Sequence, residues 1–351
     1  MNYFCVAVLV WTGGLMLFNY SVDPIQFYRK AAQPVFVLNQ RYQIPGLIRN
    51  YEFDTAFIGT SHSENFIPSS LDRELGTKSL NLAISGSSAA EQKNVVELAV
   101  KSGKLKQVIW EMNYRSFSGI NPNLVEGGEF PTYLYQVNPL SHIQYLFSIG
   151  SLWMSVKNLL GKGPVELDKL NYWGDKEKNK FDGKHVLEHF CRIKSNGDRA
   201  PLPLNFDVSI EENLGKIINA NPQVAFHLFF PPFSFYNFFL GNEKEAVNLF
   251  RIKIYQLARL HQNVFLHDFM ARYDVIGNKK YYKDIEHFAP AISEVIVRDI
   301  AKGFYVRTEV SDGLELAEEF NRFIEHQAEK LPDCRKLTPE QNSIKQSSIK
   351  L

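Results

Sequence analysis

The residues Gly59-Thr60-Ser61 have the types and the spacing that could present a nucleophilic hydroxyl. They follow residues 55–58, a short apolar run typical of a buried strand. Glycine lets the chain turn sharply, and open α/β sheets place their sites at the carboxyl ends of strands. We therefore expect Ser61 to be the nucleophile of an acyl-transfer reaction. The alternative is an ordinary turn that caps the next helix, because Ser63 stands where a Gly-x-Ser-x-Gly elbow has glycine.

A base for Ser61 is the second requirement of such a reaction. Among the nine histidines, His287 stands out because Asp284 precedes it by three residues. An aspartate at this spacing can lie beside the imidazole and fix its tautomer, which is the orienting role in a catalytic triad. The pair lies between the last predicted strand and the helix that follows it. His62, beside the serine, and His267, in that last strand, are alternative bases, and an isolated Asp-x-x-His is commonly part of a surface loop.

Alternating strands and helices would position these side chains. The predicted strands are 55–58, 79–84, 107–112, 224–230 and 263–269, and the predicted helices are 89–101, 209–220, 243–261, 290–304 and 314–330. This alternation predicts an α/β protein with a parallel, doubly wound sheet. The residues that follow its strands would then meet at one edge of the sheet.

Residues 1–22 carry no charged side chain and reach the length of about 20 residues that a membrane-spanning helix needs. We expect an uncleaved membrane anchor, because no small-x-small cleavage site follows. A cleaved signal peptide and a buried helix of a soluble protein are the alternatives. Arg29, Lys30 and Arg41 follow the segment and no basic residue precedes it, so the positive-inside rule favours a cytoplasmic domain. Long domains can override that rule, and charge alone does not fix the orientation. A connector, 23–53, leads to the predicted sheet domain, 54–304.

An insertion at about 117–204 interrupts the alternation of strands and helices. It contains an aromatic-rich helix at 143–160 and a charged stretch, and we expect it to cover the carboxyl edge of the sheet. Four aromatic residues would then face the substrate, unless they only pack the insertion: Tyr133, Tyr135, Tyr172 and Trp173.

Composition excludes several classes of protein. The chain is 45% hydrophobic and 22% charged with a formal net charge of +1, so it gives no electrostatic basis for binding nucleic acid. It shows no metal or nucleotide motif, and we expect no cofactor. The cysteines, Cys5, Cys191 and Cys334, have neither metal-ligand spacing nor a paired framework, so we expect no structural disulfide. Residues 305–351 are predicted to form one amphipathic helix and a polar tail, disordered from Leu331.

Four short blocks, in chain order, resemble those of the SGNH (GDSL-like) hydrolase superfamily. Gly59-Thr60-Ser61 resembles the first block, whose serine is the nucleophile. Residues 81–86 resemble the second, in which the N–H of the glycine, here Gly86, serves the oxyanion hole. Asn113 stands where the asparagine of the third block donates its amide, and the Asp284-x-x-His287 pair matches the last. Over about 54–304, the resemblance implies a flavodoxin-like sheet and an oxyanion hole built from Gly86, Asn113 and the Ser61 N–H.

Two positions depart from the usual blocks of the superfamily. Thr60 stands where the first block has aspartate, and Glu111 stands where the third has glycine. A carboxylate at that place changes the shape and charge of the expected oxyanion hole. It puts the role of Asn113 in question and indicates a divergent branch.

A membrane anchor followed by Ser21-Val22-Asp23-Pro24 and then Gly-Thr-Ser is similar to bacterial envelope members of the superfamily. These include the alginate O-acetylation proteins, in which the order of serine and Asp/His pair differs, and the D-alanyl transfer protein of teichoic acid. The resemblance implies an extracytoplasmic domain, in the periplasm or at the cell surface, that O-acylates a cell-envelope glycan beside a membrane-bound O-acyltransferase. An esterase with the same triad and a non-catalytic glycan-binding or assembly component are the other two interpretations.

Overall fold

A five-stranded parallel sheet forms the centre of the molecule. The computed structural model describes residues 2–119, 130–136, 139–304 and 313–337. Within these ranges the strands are β1 Thr55–Ile58, β2 Ser79–Asn81, β3 Gln107–Glu111, β4 Ala225–Phe230 and β5 Val264–Asp268. They pair in the order β2-β1-β3-β4-β5, and every neighbouring pair is parallel. The prediction of an α/β protein with a parallel sheet is confirmed.

The strands at the centre of the sheet are buried along most of their length. All four residues of β1 are buried, and β3 ends in the fully buried Trp110 and Glu111. Continuous burial is typical of parallel strands, which are covered on both faces. The strand order reverses between β1 and β3, so their carboxyl ends border the crevice in which open α/β sheets bind ligands.

The helices pack around this sheet in two groups. Their bounds, in chain order, are α1 Asn2–Val22, α2 Gln40–Asn50, α3 Pro68–Leu75, α4 Ala89–Lys101, α5 Tyr114–Phe117, α6 Thr132–Tyr135, α7 Pro139–Phe147, α8 Ile149–Leu159, α9 Gly174–Glu177, α10 Lys184–Ser195, α11 Asp207–Ile210, α12 Lys216–Ala220, α13 Glu243–Ala258, α14 Tyr273–Ile276, α15 Pro290–Ala301, α16 Leu314–His326 and α17 Cys334–Leu337. A π-helical turn joins α11 to α12. α3 packs against α15, whereas α4 packs against the π-helical turn. Right-handed crossovers, the rule for parallel strands, would put these two groups on opposite faces, as in a doubly wound fold.

The start of α4 is fixed by its cap. The Ser88 hydroxyl accepts from the Glu91 N–H, and the Glu91 carboxylate accepts from the Ser88 N–H at 2.9 Å. This reciprocal capping box satisfies two N–H groups that would otherwise lack partners. Because α4 follows the loop that contains Gly86, the cap also fixes the end of that loop. α4 and β1 have the predicted bounds to the residue.

Two of the predicted elements that differ from the structure lie near the site or in the insertion. β2 ends at Asn81 rather than at residue 84, and the Asn81 amide donates to the carbonyls of Ser63 and Phe66, at 2.9 and 2.8 Å. The helix predicted at 143–160 is two helices, α7 and α8. Ser148 lies between them with an extended backbone and caps α8 through its hydroxyl.

Cys191 and Cys334 form a disulfide, which corrects the prediction that no cysteines would pair. Cys191 is buried on α10, and α17 carries Cys334 against that helix. The two cysteines are 143 residues apart, so no local spacing indicated the pair. The prediction of disorder from Leu331 is wrong for α17, and the rest of the predicted tail, 338–351, lies outside the described residues.

α1 extends from the sheet domain with most of its apolar side chains exposed. By length and composition, its segment Tyr3–Val22 could cross a membrane. Near the end of α1, the buried Asn19 bonds to the region of α7 and α8. The predicted connector, 23–53, contains α2, which packs against α4.

Candidate active site

Ser61, His287 and Asp284 form a continuous hydrogen-bonded chain beyond the carboxyl end of β1. The Ser61 Oγ lies 2.8 Å from His287 Nε2. On the other side of the imidazole, Nδ1 lies 2.9 Å from Asp284 Oδ2 and 3.1 Å from Oδ1. A proton on Nδ1 that bonds the carboxylate leaves Nε2 free to accept the serine proton, as a general base must. The structure therefore brings together the three residues that the sequence indicated as a triad.

The turn that carries Ser61 is held from beneath by Glu111, the last residue of β3. One carboxylate oxygen accepts from the Thr60 N–H at 2.8 Å and from the Ser63 hydroxyl at 2.7 Å. The other oxygen accepts from the Thr60 hydroxyl at 2.6 Å. A side chain at Gly59 would collide with this carboxylate, which explains the glycine. These contacts fix the residues on both sides of Ser61.

Glu111 is fully buried and forms an ion pair with His62. The His62 Nδ1 lies 3.3 Å from Glu111 Oε1 and 2.9 Å from Thr60 Oγ1. Burial raises the pKa of Glu111, but the hydrogen bond and charge of His62 lower it to about 2. Burial lowers the pKa of His62, and Glu111 outweighs that effect, so the pKa is raised. The buried Glu111 carboxylate is thus stabilised by the hydrogen bonds that it accepts and by its contact with His62.

His62 packs directly against the base of the predicted triad. Its ring stacks on the His287 ring, with centroids 4.8 Å apart and an interplanar angle of 10°. The ring of Phe233 meets His62 edge-on at 4.9 Å. His62 therefore supports the His287 ring, whereas Ser61 bonds to His287 itself. The other alternative base, His267, lies in β5 with its Nδ1 2.6 Å from the Phe304 carbonyl oxygen.

The loop that contains Asp284 and His287 is fixed by its own backbone. The Asp284 Oδ1 accepts from the N–H groups of Glu286 and His287, each at 2.8 Å. Burial raises the pKa of Asp284, but the His287 ring and these N–H groups outweigh it and hold the pKa below its usual range. Asp284 is therefore an anion at neutral pH and is aimed at the imidazole.

Glu286 fastens the same loop to the body of the protein. Arg199 Nη2 lies 2.6 Å and Arg115 Nε 3.8 Å from the Glu286 Oε1. Both arginines also contact Glu243, which is buried at the start of α13. Burial raises the pKa of Glu286, but the charges of Arg115 and Arg199 lower it to about 2. The four side chains form a cluster that links the loop to α5 and α13.

Gly86, one of the two predicted oxyanion-hole residues, lies on an exposed loop beside β1. The Ile84 N–H and the Ser87 hydroxyl both donate to the Gly59 carbonyl, at 3.0 and 3.1 Å, and hold this loop against the end of the strand. Gly86 has a φ of 60°, which favours glycine. Its N–H and that of Ser61 bond to no residue that the structure describes. Neither N–H group is thus committed to another group within the described ranges, as an oxyanion hole requires.

Asn113, the other predicted oxyanion-hole residue, is committed to neighbouring protein groups. Its amide donates to Glu111 Oε1 at 3.1 Å and to Thr60 Oγ1 at 3.4 Å. Its Oδ1 accepts from the Arg115 N–H and so caps α5. Asn113 is buried, so the Glu111 network holds its amide away from solvent.

Trp173 is the aromatic residue of the insertion that reaches the site. Its Nε1 donates to the Ser61 carbonyl at 3.1 Å, and its ring meets the His287 ring edge-on at 5.8 Å. The Asn65 side chain accepts from the Trp173 N–H at 3.2 Å and fixes this part of the insertion. Of the four aromatic residues predicted to face the substrate, Trp173 therefore lies against the candidate triad.

The other three aromatic residues of the predicted wall have packing roles. Tyr135 is buried and donates its hydroxyl to the Arg41 carbonyl at 2.9 Å. Tyr133 packs against the hydrophobic core. The Lys169 ammonium group lies 5.5 Å from the centroid of the Tyr172 ring.

The Asp-x-x-His spacing occurs a second time, at Asp182 and His185. The His185 Nδ1 lies 3.1 Å from Asp182 Oδ1, and the two side chains are 40% and 46% exposed. Among the described residues, no serine or threonine hydroxyl bonds to the His185 ring. The spacing alone builds an Asp–His contact, whereas the contact with a serine depends on the surrounding fold.

Reasoning from sequence missed the residues that support the site from behind. The sequence suggested His62 only as an alternative base and Glu111 only as a residue that differs from the third block of the SGNH superfamily. Both lie at the carboxyl edge of the sheet, which is a signal that could have paired them. Arg115 and Arg199 offered no such signal, because their ion pairs join residues far apart in the chain.

The chain matches no protein-family model and no curated protein. Within the described ranges, no group of three or more His, Cys, Asp or Glu side chains could hold a metal ion. The fold and the site define an α/β protein with a Ser–His–Asp hydrogen-bonded chain at the point where the strand order of its parallel sheet reverses.

Proposed function

We propose that the protein is a serine-dependent acyltransferase of the SGNH type that modifies a cell-envelope glycan. The observation that carries this proposal is the contact between Ser61 Oγ and His287 Nε2, whose residues are 226 positions apart in the chain. A contact over such a separation, completed by Asp284, has the geometry of an activated serine.

The proposed reaction proceeds in two halves. His287 takes the Ser61 proton as the Oγ attacks the acyl carbonyl of the donor, and the N–H groups of Ser61 and Gly86 stabilise the oxyanion. The tetrahedral intermediate collapses, His287 protonates the leaving group, and an acyl-serine remains. In the second half, His287 deprotonates a glycan hydroxyl that attacks the acyl-serine. Collapse of the second intermediate releases the acylated glycan, and His287 returns the proton to Ser61.

Assignment to the SGNH type draws on two observations. The strand order β2-β1-β3-β4-β5 is that of flavodoxin-like sheets. Ser61, Gly86, Asn113 and the Asp284–His287 pair come in the order of the four blocks, each in a loop at the carboxyl edge. The glycan substrate and an acyl-supplying membrane-bound O-acyltransferase partner rest on the resemblance to envelope members, which is an argument by analogy.

The proposed location is the extracytoplasmic side of a membrane. The Cys191–Cys334 disulfide supports it, because structural disulfides are typical of oxidising compartments. α1 would be the membrane anchor. Alkylation of free thiols in intact cells, followed by mass spectrometry, should leave Cys191 and Cys334 unmodified. Alkylated Cys191 and Cys334 in most of the protein would contradict this location.

A non-catalytic, glycan-binding role is the second candidate, and Asn113 is the observation that favours it. The asparagine amide that would complete an oxyanion hole donates to Glu111 and Thr60 instead. Loss of one such donor typically costs about 3 kcal/mol of transition-state stabilisation. An esterase, which transfers the acyl group to water, would use the same residues as the transferase.

Acylation of the full chain in detergent tests these alternatives. The protein is mixed with p-nitrophenyl acetate, nitrophenol release is followed, and the acyl-enzyme is trapped for mass spectrometry. We expect an acetyl group on Ser61 that is absent in Ser61→Ala and retained in the nearby control Ser70→Ala. Faster turnover with an added oligosaccharide, together with acetylated sugar, would favour transfer over hydrolysis. A folded wild type that forms no acyl-enzyme would contradict the catalytic proposal and favour glycan binding.

A further inference from the structure

The side chains of α8 are arranged in the opposite way to those of a helix on the surface of a water-soluble domain. Its fully buried positions include Ser151 and Ser155, whereas Ile149 and Trp153 are 69% and 64% exposed. At about 3.6 residues per turn, Ile149, Trp153, Val156 and the following Leu160 share one face, opposite the serines. We call these four residues the outer face of α8. Three of these four side chains, Ile149, Trp153 and Leu160, are exposed, whereas Met154, elsewhere on the helix, packs against the core.

The inward face of α8 is bonded to the end of α1 and to the segment that follows. The Ser155 hydroxyl donates to the Asn19 Oδ1 at 3.0 Å, and the Asn19 amide donates to the Leu146 carbonyl at 2.8 Å. Further along α8, the Asn158 amide donates to the Val35 carbonyl at 2.8 Å. Polar contacts therefore fix α7 and α8 to α1, and within the described ranges no residue buries Ile149, Trp153 or Leu160 of the outer face.

The length of α1 sets the depth at which this helix pair would lie. The 20 residues of Tyr3–Val22 span about 30 Å, close to the thickness of the hydrocarbon core of a bilayer. Asn19 is three residues from the end of that segment, which corresponds to about 5 Å along the helix. Leu146 and Ser155 bond to Asn19, so they would lie near the boundary between acyl chains and headgroups. Ser155 is on α8, so the part of the outer face around it would lie at a similar depth.

The flank of α8 has the charges that suit this boundary. Lys157 and Lys162 line a cavity of about 640 Å³ between α8 and the segment around Val35 to Asn39. Leu38, on the same segment, is another exposed apolar side chain. Tryptophan and lysine side chains around an apolar face are typical of helices that lie in the membrane interface.

We propose that α7 and α8 lie in the interface of the bilayer that holds α1. The outer face of α8 would enter the acyl-chain boundary, with Lys157 and Lys162 at the level of the lipid phosphates. The inference rests on α1 being the membrane anchor proposed above, and it goes beyond the catalytic proposal. It gives the sheet domain a second attachment to the membrane and so a defined orientation above the lipid surface.

Nitroxide depth measurements on the full chain test this inference. Cys5 is the free cysteine, so Cys5→Ser gives a background in which single labels can be placed while the disulfide is kept. Labels at Ile149→Cys and Trp153→Cys are compared in nanodiscs of phosphatidylcholine and phosphatidylglycerol. A label at Leu260→Cys, on an 80% exposed leucine far from α1 in the chain, is the matched control. A label at Val10→Cys, near the middle of Tyr3–Val22, reports on α1 itself.

We expect the labels at positions 149 and 153 to lie about 5–10 Å below the headgroups, with oxygen accessibility above that of a polar nickel reagent. The label at position 260 should have the opposite ratio. Labels at 149 and 153 that remain aqueous while the label at position 10 is in hydrocarbon would overturn the inference and leave the anchor intact. An aqueous label at position 10 would overturn both. Labels that are shielded in native membranes but aqueous in pure lipid would show that a protein partner, and not the bilayer, covers the outer face of α8. Acylation of Ser61 is a separate readout and does not depend on these results.

Discussion

Two Asp-x-x-His motifs in this chain have nearly the same local geometry and different surroundings. In both, the histidine Nδ1 lies 3.1 Å from the aspartate Oδ1. Asp284–His287 lies at the carboxyl edge of the sheet, where the imidazole reaches Ser61. Asp182–His185 lies at the start of α10 and is exposed to solvent. The comparison separates what a four-residue motif builds by itself from what the fold adds.

A lowered aspartate pKa does not distinguish the two motifs. The hydrogen bond from His185 lowers the pKa of the exposed Asp182 to about 2. At Asp284, burial acts in the opposite direction, and the His287 ring and backbone N–H groups are still sufficient to lower the pKa. What sets Asp284–His287 apart from Asp182–His185 is the stacked His62, the edge-on Trp173 and the ion pairs of Glu286. We therefore expect the acylation of Ser61 to depend on these supporting residues and not on the Asp-x-x-His spacing alone.

The largest difference should appear when each histidine is removed. His287→Ala deletes the proposed base and is expected to slow acylation of Ser61 by about 10⁴-fold, because general-base assistance and serine activation are lost together. His185→Ala removes the same atoms from an exposed position and should change the rate by no more than about twofold. Stopped-flow release of nitrophenol measures both. Equal losses in the two variants would contradict the assignment of the base.

Replacing each aspartate should give the same contrast with a smaller magnitude. Asp284→Asn keeps the shape of the side chain but no longer fixes the Nδ1–H tautomer, and acylation should fall by about 10³-fold. Asp182→Asn should leave the rate within about twofold of the wild type. Retention of full activity in Asp284→Asn would show that His287 acts without an orienting carboxylate.

The ion pairs behind the two motifs should differ in their contribution to stability. Glu286→Gln leaves Arg115 and Arg199 with one shared partner, Glu243, and should lower the free energy of unfolding by about 2 kcal/mol. Glu188→Gln, which breaks the exposed Lys184–Glu188 pair next to His185, should lower it by less than about 0.5 kcal/mol. Urea unfolding at pH 7 in detergent measures both variants.

The same ion pairs predict how the Glu286→Gln deficit depends on pH. The pKa of Glu286 is lowered from 4.5 to about 2 in the folded protein, so the ionised carboxylate contributes stability above pH 4.5. That contribution is lost as the pH falls from 4.5 towards 2, and the difference between wild type and variant should shrink over this range. A difference that is as large at pH 3 as at pH 7 would contradict the lowered pKa.

Much of the fold could be predicted because its signals are local. β1 is a short apolar run that ends at a glycine, and α4 begins at a Ser-x-x-Glu capping box and ends before Ser102-Gly103. The strand–helix alternation then gave the parallel sheet. The triad residues could be proposed because parallel strands bring the loops that follow them to one edge.

The features that could not be predicted depend on contacts between distant residues. Cys191 and Cys334 are paired because α10 and α17 pack together, which no cysteine spacing reveals. The Asn113 amide donates to Glu111 instead of pointing to the expected oxyanion hole. This contact can be recognised only when both side chains have been placed. The break at Ser148 depends on a cap within an otherwise continuous apolar run.

The smallest expected effect concerns Trp173, whose ring contacts His287. Among the residues that the structure describes, no aromatic ring makes such a contact with His185. Trp173→Phe keeps a ring against His287 but loses the hydrogen bond to the Ser61 carbonyl, so acylation should slow by about 3- to 10-fold. Trp173→Ala also removes the ring and should slow it further, mainly in kcat, because the imidazole becomes free to move. Single-turnover acylation separates this effect from a change in donor binding. If the two variants lose the same amount, the hydrogen bond to the Ser61 carbonyl carries the whole contribution, and the edge-on ring is only a neighbour. If Trp173→Phe matches the wild type and Trp173→Ala does not, positioning of the base by the ring is what distinguishes His287 from its exposed counterpart.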